Sequence, residues 1–478
     1  MLFELAMHIA GSGPLTAADA HRILASLARS HTQLLAVMFI CLAVAVPVTA
    51  SQYTPKLLRV FLGDRMHVAV LSTYAMAAAH ANWALHASRP DTVSPRLVDA
   101  VMATCIIAFI MVVPYFFYVI EFLEPHTLVR RIRGQASRAL RQALAKEGRR
   151  EQTKTDLAHA LHHLGSLVLK SLDGMGRESA ELGIVALREL LEEYGQVKDR
   201  LDPTWFQATK AEFRGLSREA LQFTTVERCW VEVAALRDLG RAFDAAVAAM
   251  PDAVVLIADT VRGIGEDANL RDDVPVLHNT VRAMNSMLRS AINAKNPRAI
   301  FDVLLQYEAL AEVALERRPE VSGEIAGYYA HYGVRARRAD LEFIPELFVY
   351  DLGALLRTAA ERESAAQATI LDSIRSLVKR LSGEPTVPLA CALMVTLGSA
   401  RHALCASSQD VLLDGITALP TGIVDDALEV LDRTTSPRYH ELSSRQVDVN
   451  FLPPQDLEAV QTAIDERRAT RTVDTTQG

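Results

Sequence analysis

Three long uncharged stretches near the start of the chain constrain its fold more than any other feature. No Asp, Glu, Lys or Arg occurs in Ser30–Pro55, Met66–Ser88 or Ala100–Ile120. A helix of about 20 apolar residues spans the ~30 Å hydrocarbon core of a bilayer, and its backbone groups bond within the segment. Buried helices of a water-soluble core are the alternative, but three such windows so close together favour a membrane. We therefore predict spans at about 33–50, 68–87 and 100–123.

The second window is Ala-rich and differs from the other two by its polar residues. It contains His80 and Asn82. Polar groups at membrane depth face the interior of the bundle, a partner or a water-filled path. His80 and Asn82 are therefore our candidate pore or proton-relay residues. Interhelical hydrogen bonding between packed spans explains the same two residues equally well.

Charge is distributed unevenly along the chain. Residues 1–150 carry 15 Lys plus Arg against 8 Asp plus Glu, whereas residues 151–478 carry 35 against 49. The first interspan loop and the segment after the third span contain most of the early basic residues, which by the positive-inside rule places the C-terminal part in the cytoplasm. The predicted organisation is an N-terminal tail (1–29), the spans within 30–123, a basic juxtamembrane segment (124–150), a cytoplasmic helical domain (151–469) and a disordered tail (470–478).

The basic residues on the cytoplasmic side have an evident physical role. Anionic lipids of an inner leaflet attract juxtamembrane Lys and Arg with about 1 kcal/mol each. Nucleic acid is not an expected partner, because no aromatic residues are interleaved with the charges and the region beyond is acidic. The candidate lipid-phosphate contacts are Lys56, Arg59, Arg65, Arg130, Arg131 and Arg133.

The first interspan loop carries a recognisable motif. The run Ser51–Arg65 reads SQYTPKLLRVFLGDR, and its residue types fit an interfacial amphipathic helix or a plain basic loop about equally. It resembles the signature of a bacterial family of predicted membrane proteins, domain of unknown function 2254. The resemblance extends over about 160 residues, from Ala17–Leu24 through the later spans to the stretch Asp156–Leu172. It implies an integral membrane protein and supplies no established activity. Together with the three windows and the distribution of Lys and Arg, it leads us to expect a multi-pass protein of the bacterial inner membrane.

After the basic segment the sequence predicts helices only. Apolar residues recur at helical spacing, as in Leu157, Leu161, Leu164, Val168 and Leu172. Glycines then break the chain before a second stripe, which is typical of an antiparallel helical hairpin. Faint internal echoes have irregular spacing, so no solenoid of fixed period is expected. The predicted fold class is all-α, with a three-span membrane region followed by stacked hairpins in a bundle or irregular superhelix. Further helices are predicted from Asp202 toward Phe223 and at 226–249, 274–294, 297–317, 345–362, 365–381, 388–406, 425–432 and 454–467.

Candidate chemistry is sparse. Asp156, His159 and His163 could converge on one helix face and hold a divalent metal, but a solvated face is the favoured interpretation. The sequence contains no phosphate-binding loop GxxxxGK[ST], no nucleophile elbow GxSxG and no zinc motif HExxH. Five scattered cysteines make no disulfide framework. We therefore expect no enzyme, cofactor or metal site.

Two functions compete at this stage. The first is a homo-oligomeric conduit for ions or small solutes, lined by His80 and Asn82 and gated by the cytoplasmic helices. Three spans cannot enclose a pore alone, so this hypothesis requires oligomerisation. The alternative is a membrane-anchored scaffold or sensor, whose helical domain binds a cytoplasmic protein partner. An enzyme acting on lipid ranks last, because only Glu121, Glu124 and His126 lie near the membrane surface.

Overall fold

The computed structural model describes residues 16–52, 64–89, 93–145, 150–174, 176–207, 217–439, 445 and 447–476. Within these ranges the chain forms nineteen α-helices, two short 3-10 helices and one isolated β-bridge, Arg438 to Val447, with no β-strand. The all-α prediction is confirmed. The chain divides into two compact units, residues 1–131 and 132–478, which we call the N-terminal unit and the hairpin unit. The predicted interfacial helix at 51–65 falls largely outside the described residues.

The N-terminal unit consists of long helices joined by short connections. They are α1 (Ala17–Gln52), α2 (Arg65–Ala87), α3 (Pro95–Ile110), α4 (Val112–Leu123) and α5 (Pro125–Leu144), of which α5 continues past the end of the unit. Helices α1, α2 and α3 pack against one another. The three predicted windows thus coincide with α1, with α2, and with α3 and α4 together.

Local chemistry explains where these helices begin and break. The carboxylate of Asp64 accepts the backbone N–H of Met66 and caps α2. The third window is interrupted at Met111, three residues before Pro114. Pro114 cannot donate a backbone hydrogen bond to Ile110, and its ring crowds that carbonyl, so the regular helix is broken here.

The surface of the N-terminal unit is unusually apolar. Among the described residues, large hydrophobic side chains of α1 to α4 stand exposed at 45–67% of their surface. Two helical stretches, Ala17–Ile40 and Arg96–Glu121, are long and apolar enough to cross a membrane. Helix α2 does not meet that criterion, so its span stays a prediction. The exposed residues include Val37, Phe39, Ile40, Met76, Trp83, Ile106, Ile107, Phe109, Ile110, Val113, Phe116 and Phe117.

The hairpin unit is a succession of antiparallel helices. Helices α10, α12, α14 and α16 pack in order on one another, and α9, α11, α13 and α15 do the same, so the helices form two layers. Their bounds are α6 (Arg150–Asp173), α7 (Arg177–Val197), α8 (Arg218–Val226), α9 (Trp230–Ala249), α10 (Pro251–Leu270), α11 (Val274–Asn293), α12 (Pro297–Arg317), α13 (Pro319–Arg338), α14 (Ile344–Glu361), α15 (Gln367–Leu381) and α16 (Val387–Ala400).

The offset between successive hairpins is more regular than the sequence predicts. Hydrogen bonds between neighbouring hairpins join residues 46 positions apart, as in Arg298 to Asp252 and Thr358 to Glu312. Side chains also reach the carbonyl oxygens of the preceding hairpin, with Arg317 donating to Leu270 over 47 positions. The stacked hairpins are confirmed. Each hairpin is tied to its predecessor by a similar set of contacts.

Some helices differ from the prediction. Asp202 caps and Pro203 begins a helix as expected, but it is a single 3-10 turn ending at Phe206. Helices α10 and α13 are absent from the predicted set. Their glycines explain this, because Gly265 and Gly333 weaken the sequence signal for helix. A Cβ at Gly265 would lie 2.8 Å from Leu310, and one at Gly333 would lie 2.9 Å from Leu377.

Three further helices complete the chain. They are α17 (Ala406–Thr417), α18 (Thr421–Arg433) and α19 (Pro454–Thr476), and α16, α17 and α18 all contact α19. Helix α19 continues to Thr476, well into the stretch for which the sequence predicts a disordered tail. The Thr470 hydroxyl donates to the carbonyl of Glu466 at 2.9 Å, as a helical side chain does. Between α18 and α19 the described chain is irregular, with a turn in which the N–H of Phe451 donates to the carbonyl of Asp448 at 3.1 Å.

Candidate functional site

His80 and Asn82, the candidate pore residues, both make contacts to neighbouring helices. His80 Nδ1 lies 3.2 Å from the hydroxyl of Thr104 on α3, and Asn82 Nδ2 donates to the hydroxyl of Thr32 on α1 at 3.1 Å. Each threonine hydroxyl donates to a carbonyl of its own helix, at 2.8 Å in both cases. The histidine nitrogen is therefore the donor to Thr104. Both residues join a chain of hydrogen bonds that ends on a backbone carbonyl.

His31 and Tyr74, which the sequence pattern does not single out, also bond between helices. His31 of α1 donates from Nε2 to the carbonyl of Cys105 at 3.1 Å. Tyr74 of α2 donates from its hydroxyl to the carbonyl of Ala108. His31 is 5% exposed and Tyr74 is fully buried. Hydrogen bonds between helices thus recur through the interior of the N-terminal unit.

A polar network is formed around Asp64, where α2 begins. Tyr118 and Arg131 each donate to the Asp64 carboxylate at 2.7 Å, and Arg131 also donates to the Tyr118 hydroxyl at 3.1 Å. The ring of His67 lies 5.3 Å from that of Tyr118. Burial alone would raise the pKa of Asp64, but the hydrogen bonds from Tyr118 and Arg131 outweigh it and the pKa lies below its ordinary value. The carboxylate is therefore held ionised.

The candidate lipid contacts fall into three groups. Lys56 and Arg59 lie outside the described residues. Arg65 and Arg130 are exposed. Arg131 is engaged with Asp64, and Arg133 pairs with Glu189 of the hairpin unit. Arg65 and Arg130 are thus the described members whose charge is open to a lipid headgroup.

The metal site considered for Asp156, His159 and His163 has few ligands. The rings of His159 and His163 stack, with centroids 6.2 Å apart. In the part of the chain that the structure describes, no group of three or more His, Cys, Asp or Glu side chains is arranged to hold a metal ion. His159 is exposed and His163 half-buried, which fits a solvated helix face.

The hairpin unit contains a cavity of about 460 Å³. Its walls come from α12, α14, α16 and, between α18 and α19, from Arg445 and residues 447–451, which we call the connecting segment. That segment is held by charged and polar contacts, because Arg445 binds both oxygens of Asp351 and the Tyr350 hydroxyl bonds to Asn450. The charged lining residues are Glu308, Asp351, Arg357, Arg445 and Asp448.

The two acidic side chains nearest Arg445 in this cavity, Asp351 and Glu308, are not paired equally well with it. Asp351 is 1% exposed and forms a bidentate pair with Arg445, one of whose bonds measures 2.8 Å. Glu308 lies 3.9 Å from the same guanidinium, beyond hydrogen-bond distance. Burial, followed by the negative charge of Asp351, raises the pKa of Glu308 well above its ordinary value. Glu308 is therefore the carboxylate with the least support in the cavity.

A second buried charge cluster stabilises the first hairpins. Lys198 donates to Glu232 at 2.8 Å and to Asp273, and all three side chains are nearly excluded from solvent. Burial opposes the charge of Lys198, but its two carboxylate partners outweigh it and raise the lysine pKa. Burial raises the pKa of Glu232.

The sequence offers little sign of either cluster. Asp351 and Arg445 are 94 positions apart, and Lys198 and Asp273 are 75 apart. Neither pair lies at a helical spacing, so no periodicity links them. One usable signal exists, since charged residues such as Asp351 and Glu308 stand among apolar residues of amphipathic helices, where burial requires a partner.

The N-terminal unit thus combines an apolar outer surface with hydrogen bonds between its helices, as helices packed in a membrane do. Residues 2–170 match the model of a family described as predicted membrane protein (DUF2254), about a third of the chain. The resemblance seen in the Ser51–Arg65 run is thereby confirmed over these residues. Its description assigns no activity.

Two other comparisons add no functional assignment. No curated protein matches the chain. A solved structure titled "Circular tandem repeat protein with novel repeat topology and enhanced subunit contact surfaces" is 12% identical, with 74% of this chain and 98% of that one covered, at a TM-score of 0.30. A TM-score this low supports no conclusion about fold or function.

Proposed function

We propose that this protein is a multi-pass protein of the bacterial inner membrane whose spans anchor a cytoplasmic scaffold or sensor domain. The observation that carries the proposal is the bonding of His80 and Asn82. Their donors are used by Thr104 and Thr32 on neighbouring helices of the same chain, as in helix packing rather than in a water-filled path. The spans then hold the hairpin unit at the membrane, and the hairpin unit does the binding.

The hairpin unit has a suitable surface for a protein partner. Stacked helical hairpins offer extended faces on which partners bind. In the adjacent helices α11, α13 and α15, Arg289, Arg338, Arg375, Lys379 and Arg380 are exposed. No carboxylate of the described residues pairs with any of these five cations. A partner with an acidic surface fits this layer best.

The orientation proposal is supported by the distribution of charge. Basic residues cluster in the first interspan loop and after the third span, which favours a cytoplasmic C-terminal part. Arg65 and Arg130 would then face anionic headgroups of the inner leaflet, with Lys56 and Arg59 nearby in sequence. A reporter that fluoresces only in the cytoplasm, fused after Gly478, tests the orientation, and a dark reporter with a correctly inserted chain would overturn it.

Exchange of the spans tests the anchoring role. Residues 30–123 are replaced by unrelated spans of the same number and orientation, and partners of the hairpin unit are recovered from detergent. We expect the same stoichiometric partner with both proteins, and at least tenfold less of it after Arg289→Glu together with Lys379→Glu. The matched control is Arg433→Glu, an exposed arginine of α18. Loss of binding on span exchange would contradict the proposal.

A homo-oligomeric conduit is the second candidate, and one observation favours it. The Asn82 to Thr32 hydrogen bond lies on the exposed surface of the N-terminal unit. A polar pair facing lipid is costly, and a second copy that covers it would remove that cost. The mass of the purified protein in detergent tests oligomerisation, and flux through reconstituted vesicles tests conduction. A monomer without flux would eliminate this candidate.

A further inference from the structure

The cavity between α12, α14, α16 and the connecting segment, Arg445 with residues 447–451, has the size of a small-molecule site. Its volume of about 460 Å³ lies in the range of about 300–1,000 Å³ that ligand pockets occupy. Part of its wall is apolar and part is charged or hydroxylic, as orienting sites are. The apolar part includes Leu305, Val395, Val449 and Phe451.

Glu308 supplies the polar group in this wall that most needs a partner. Its side chain is 15% exposed, and the nearest cation, Arg445, is 3.9 Å away. Arg445 is already engaged by both oxygens of Asp351. In the described part of the chain, no N–H or O–H group donates to the Glu308 carboxylate. A buried carboxylate without donors is costly, and a ligand that brings donors removes that cost.

The remaining polar groups around the cavity are the donors Arg357, Arg445 and Tyr350, the last two of which are used by Asp351 and Asn450, and several acceptors. The hydroxyl hydrogens of Thr396 and Ser399 are directed to helix carbonyls, at 2.8 and 3.4 Å, which leaves their oxygens able to accept. Asp448 adds another carboxylate to the lining. Arg445 is balanced by Asp351, and Arg357 balances one of the two further carboxylates, Glu308 and Asp448, so the lining carries a net negative charge when Glu308 is ionised. A ligand with donors and one positive charge complements this lining.

We propose that this cavity binds a small organic cation, a primary ammonium with a short aliphatic body. The ammonium would pair with Glu308 and donate to the nearby hydroxyl oxygens. The aliphatic body would lie against Leu305, Val395 and Phe451. This assignment stands independently of the anchoring function, because it concerns a cavity inside the hairpin unit and needs no partner protein.

Proton linkage gives the site a distinctive signature. Burial, and next the negative charge of Asp351, raises the pKa of Glu308, with a further increase from Glu312, and the cations Arg445 and Arg357 oppose this without cancelling it. At low pH the carboxyl is therefore protonated and cannot pair with an ammonium. Binding stabilises the ionised carboxylate and therefore releases a proton. Affinity should rise as pH increases through the pKa of Glu308 and then level off.

Calorimetric titration of the full-length protein in detergent micelles tests the assignment. The probe is butylammonium chloride, with sodium chloride at equal ionic strength as the comparison. We expect saturable binding that tightens with pH, releases protons in buffers of different ionisation heat, and weakens at least tenfold in Glu308→Gln. Glutamine is isosteric and removes a buried charge, so this variant should fold.

The control variant is Glu316→Gln, an exposed carboxylate on the same helix α12. It should bind butylammonium as the wild type does. Equal heats from butylammonium and sodium chloride, binding unchanged in Glu308→Gln, or binding that weakens as pH rises would each overturn the proposal. None of these outcomes bears on partner binding by the exposed cations of α11, α13 and α15.

Discussion

The two units of this chain place polar and apolar side chains in opposite ways. The N-terminal unit exposes side chains such as Ile107 and Phe117, at 57% and 64%, and bonds polar side chains between its helices. The hairpin unit buries its apolar residues and places charged clusters inside, as at Lys198 with Glu232 and at Arg445 with Asp351. The solvent explains the reversal, because lipid gives no drive to bury apolar surface whereas water does.

The difference also sets the strength of individual interactions. Neutral hydrogen bonds between membrane helices contribute about 0.6 kcal/mol on average. Removal of one partner from a buried ion pair costs about 3–5 kcal/mol, because the other charge is left without compensation. Single substitutions should therefore affect the interior of the hairpin unit much more than that of the N-terminal unit.

The largest effect is expected for Lys198→Met. It leaves two buried carboxylates, Glu232 and Asp273, without their cation, and should lower the free energy of unfolding of the hairpin unit by about 3–5 kcal/mol. Trp205 and Trp230, whose rings lie 6.0 Å apart, report this unfolding by fluorescence in urea. The matched control is Lys379→Met, an exposed lysine of α15, with a change within about 0.5 kcal/mol. Equal urea midpoints for the two variants would mean that the buried cluster contributes nothing.

Insertion of one charge into the outer surface of each unit tests the solvent difference directly. Val113 of α4 and Val226 at the end of α8 are similarly exposed, at 60% and 69%. Val113→Asp should disfavour membrane insertion by about 3 kcal/mol, whereas Val226→Asp should have almost no effect. The carbonate-resistant membrane fraction of each full-length variant is the measurement. If Val113→Asp remains fully inserted, the exposed surface of α4 does not face lipid.

The pH dependence of the hairpin unit provides a third test. The pKa of Glu308 is raised in the folded state, so between its ordinary value near 4.5 and the raised pKa the folded protein holds more protons than the unfolded one. Stability must then fall as pH rises through this window, by at most about 1.4 kcal/mol per pH unit. Glu308→Gln should flatten the slope of the urea midpoint against pH. A slope as steep in this variant as in the wild type would show that another group causes it.

The sequence predicts features that depend on neighbouring residues better than features that depend on contacts between distant helices. Helix α12 begins at Pro297 and ends at Arg317 as predicted, because Asn296 caps it and Pro297 suits its first turn. Helix α10 was missed because Gly263 and Gly265, which permit close contacts with Arg188 and Leu310, resemble breaks. The faint sequence echoes are irregularly spaced, whereas the contacts between hairpins join residues 46 positions apart, so the offset is visible in the packed helices.

For the candidate sites, too, the sequence indicates some residues but not the partners they contact. His80 and Asn82 stand out in sequence because polar residues are rare in an apolar window, but their partners Thr104 and Thr32 are known only from the packed helices. The pairing of Arg131 with Asp64 spans 67 positions, and that of Arg445 with Asp351 spans 94. Sequence indicates which residues need a partner, whereas only the fold indicates which partner each one has.

The smallest predicted effect decides between packing and conduction in the N-terminal unit. Asn82→Ala removes one interhelical hydrogen bond and should destabilise helix packing by about 0.6 kcal/mol, or about threefold in an opening equilibrium. The thiol of Cys105, which is buried among α1, α2 and α3, reports this opening by its labelling rate, read peptide by peptide in a mass spectrometer. The matched control is His86→Ala, an exposed position on the same helix, with an unchanged rate.

Packing and conduction can be distinguished by measuring both the labelling rate of Cys105 and the flux through reconstituted vesicles. Packing predicts that Asn82→Ala accelerates labelling of Cys105 by about threefold and that anchoring survives. A path residue predicts the opposite pattern, with an unchanged labelling rate and loss of flux in reconstituted vesicles. Asn82→Ala can change both the labelling rate and the flux only if a second copy of the chain packs on the exposed surface where Asn82 bonds to Thr32. In that case both rate and flux would change together, and the anchor hypothesis would give way to the oligomeric conduit.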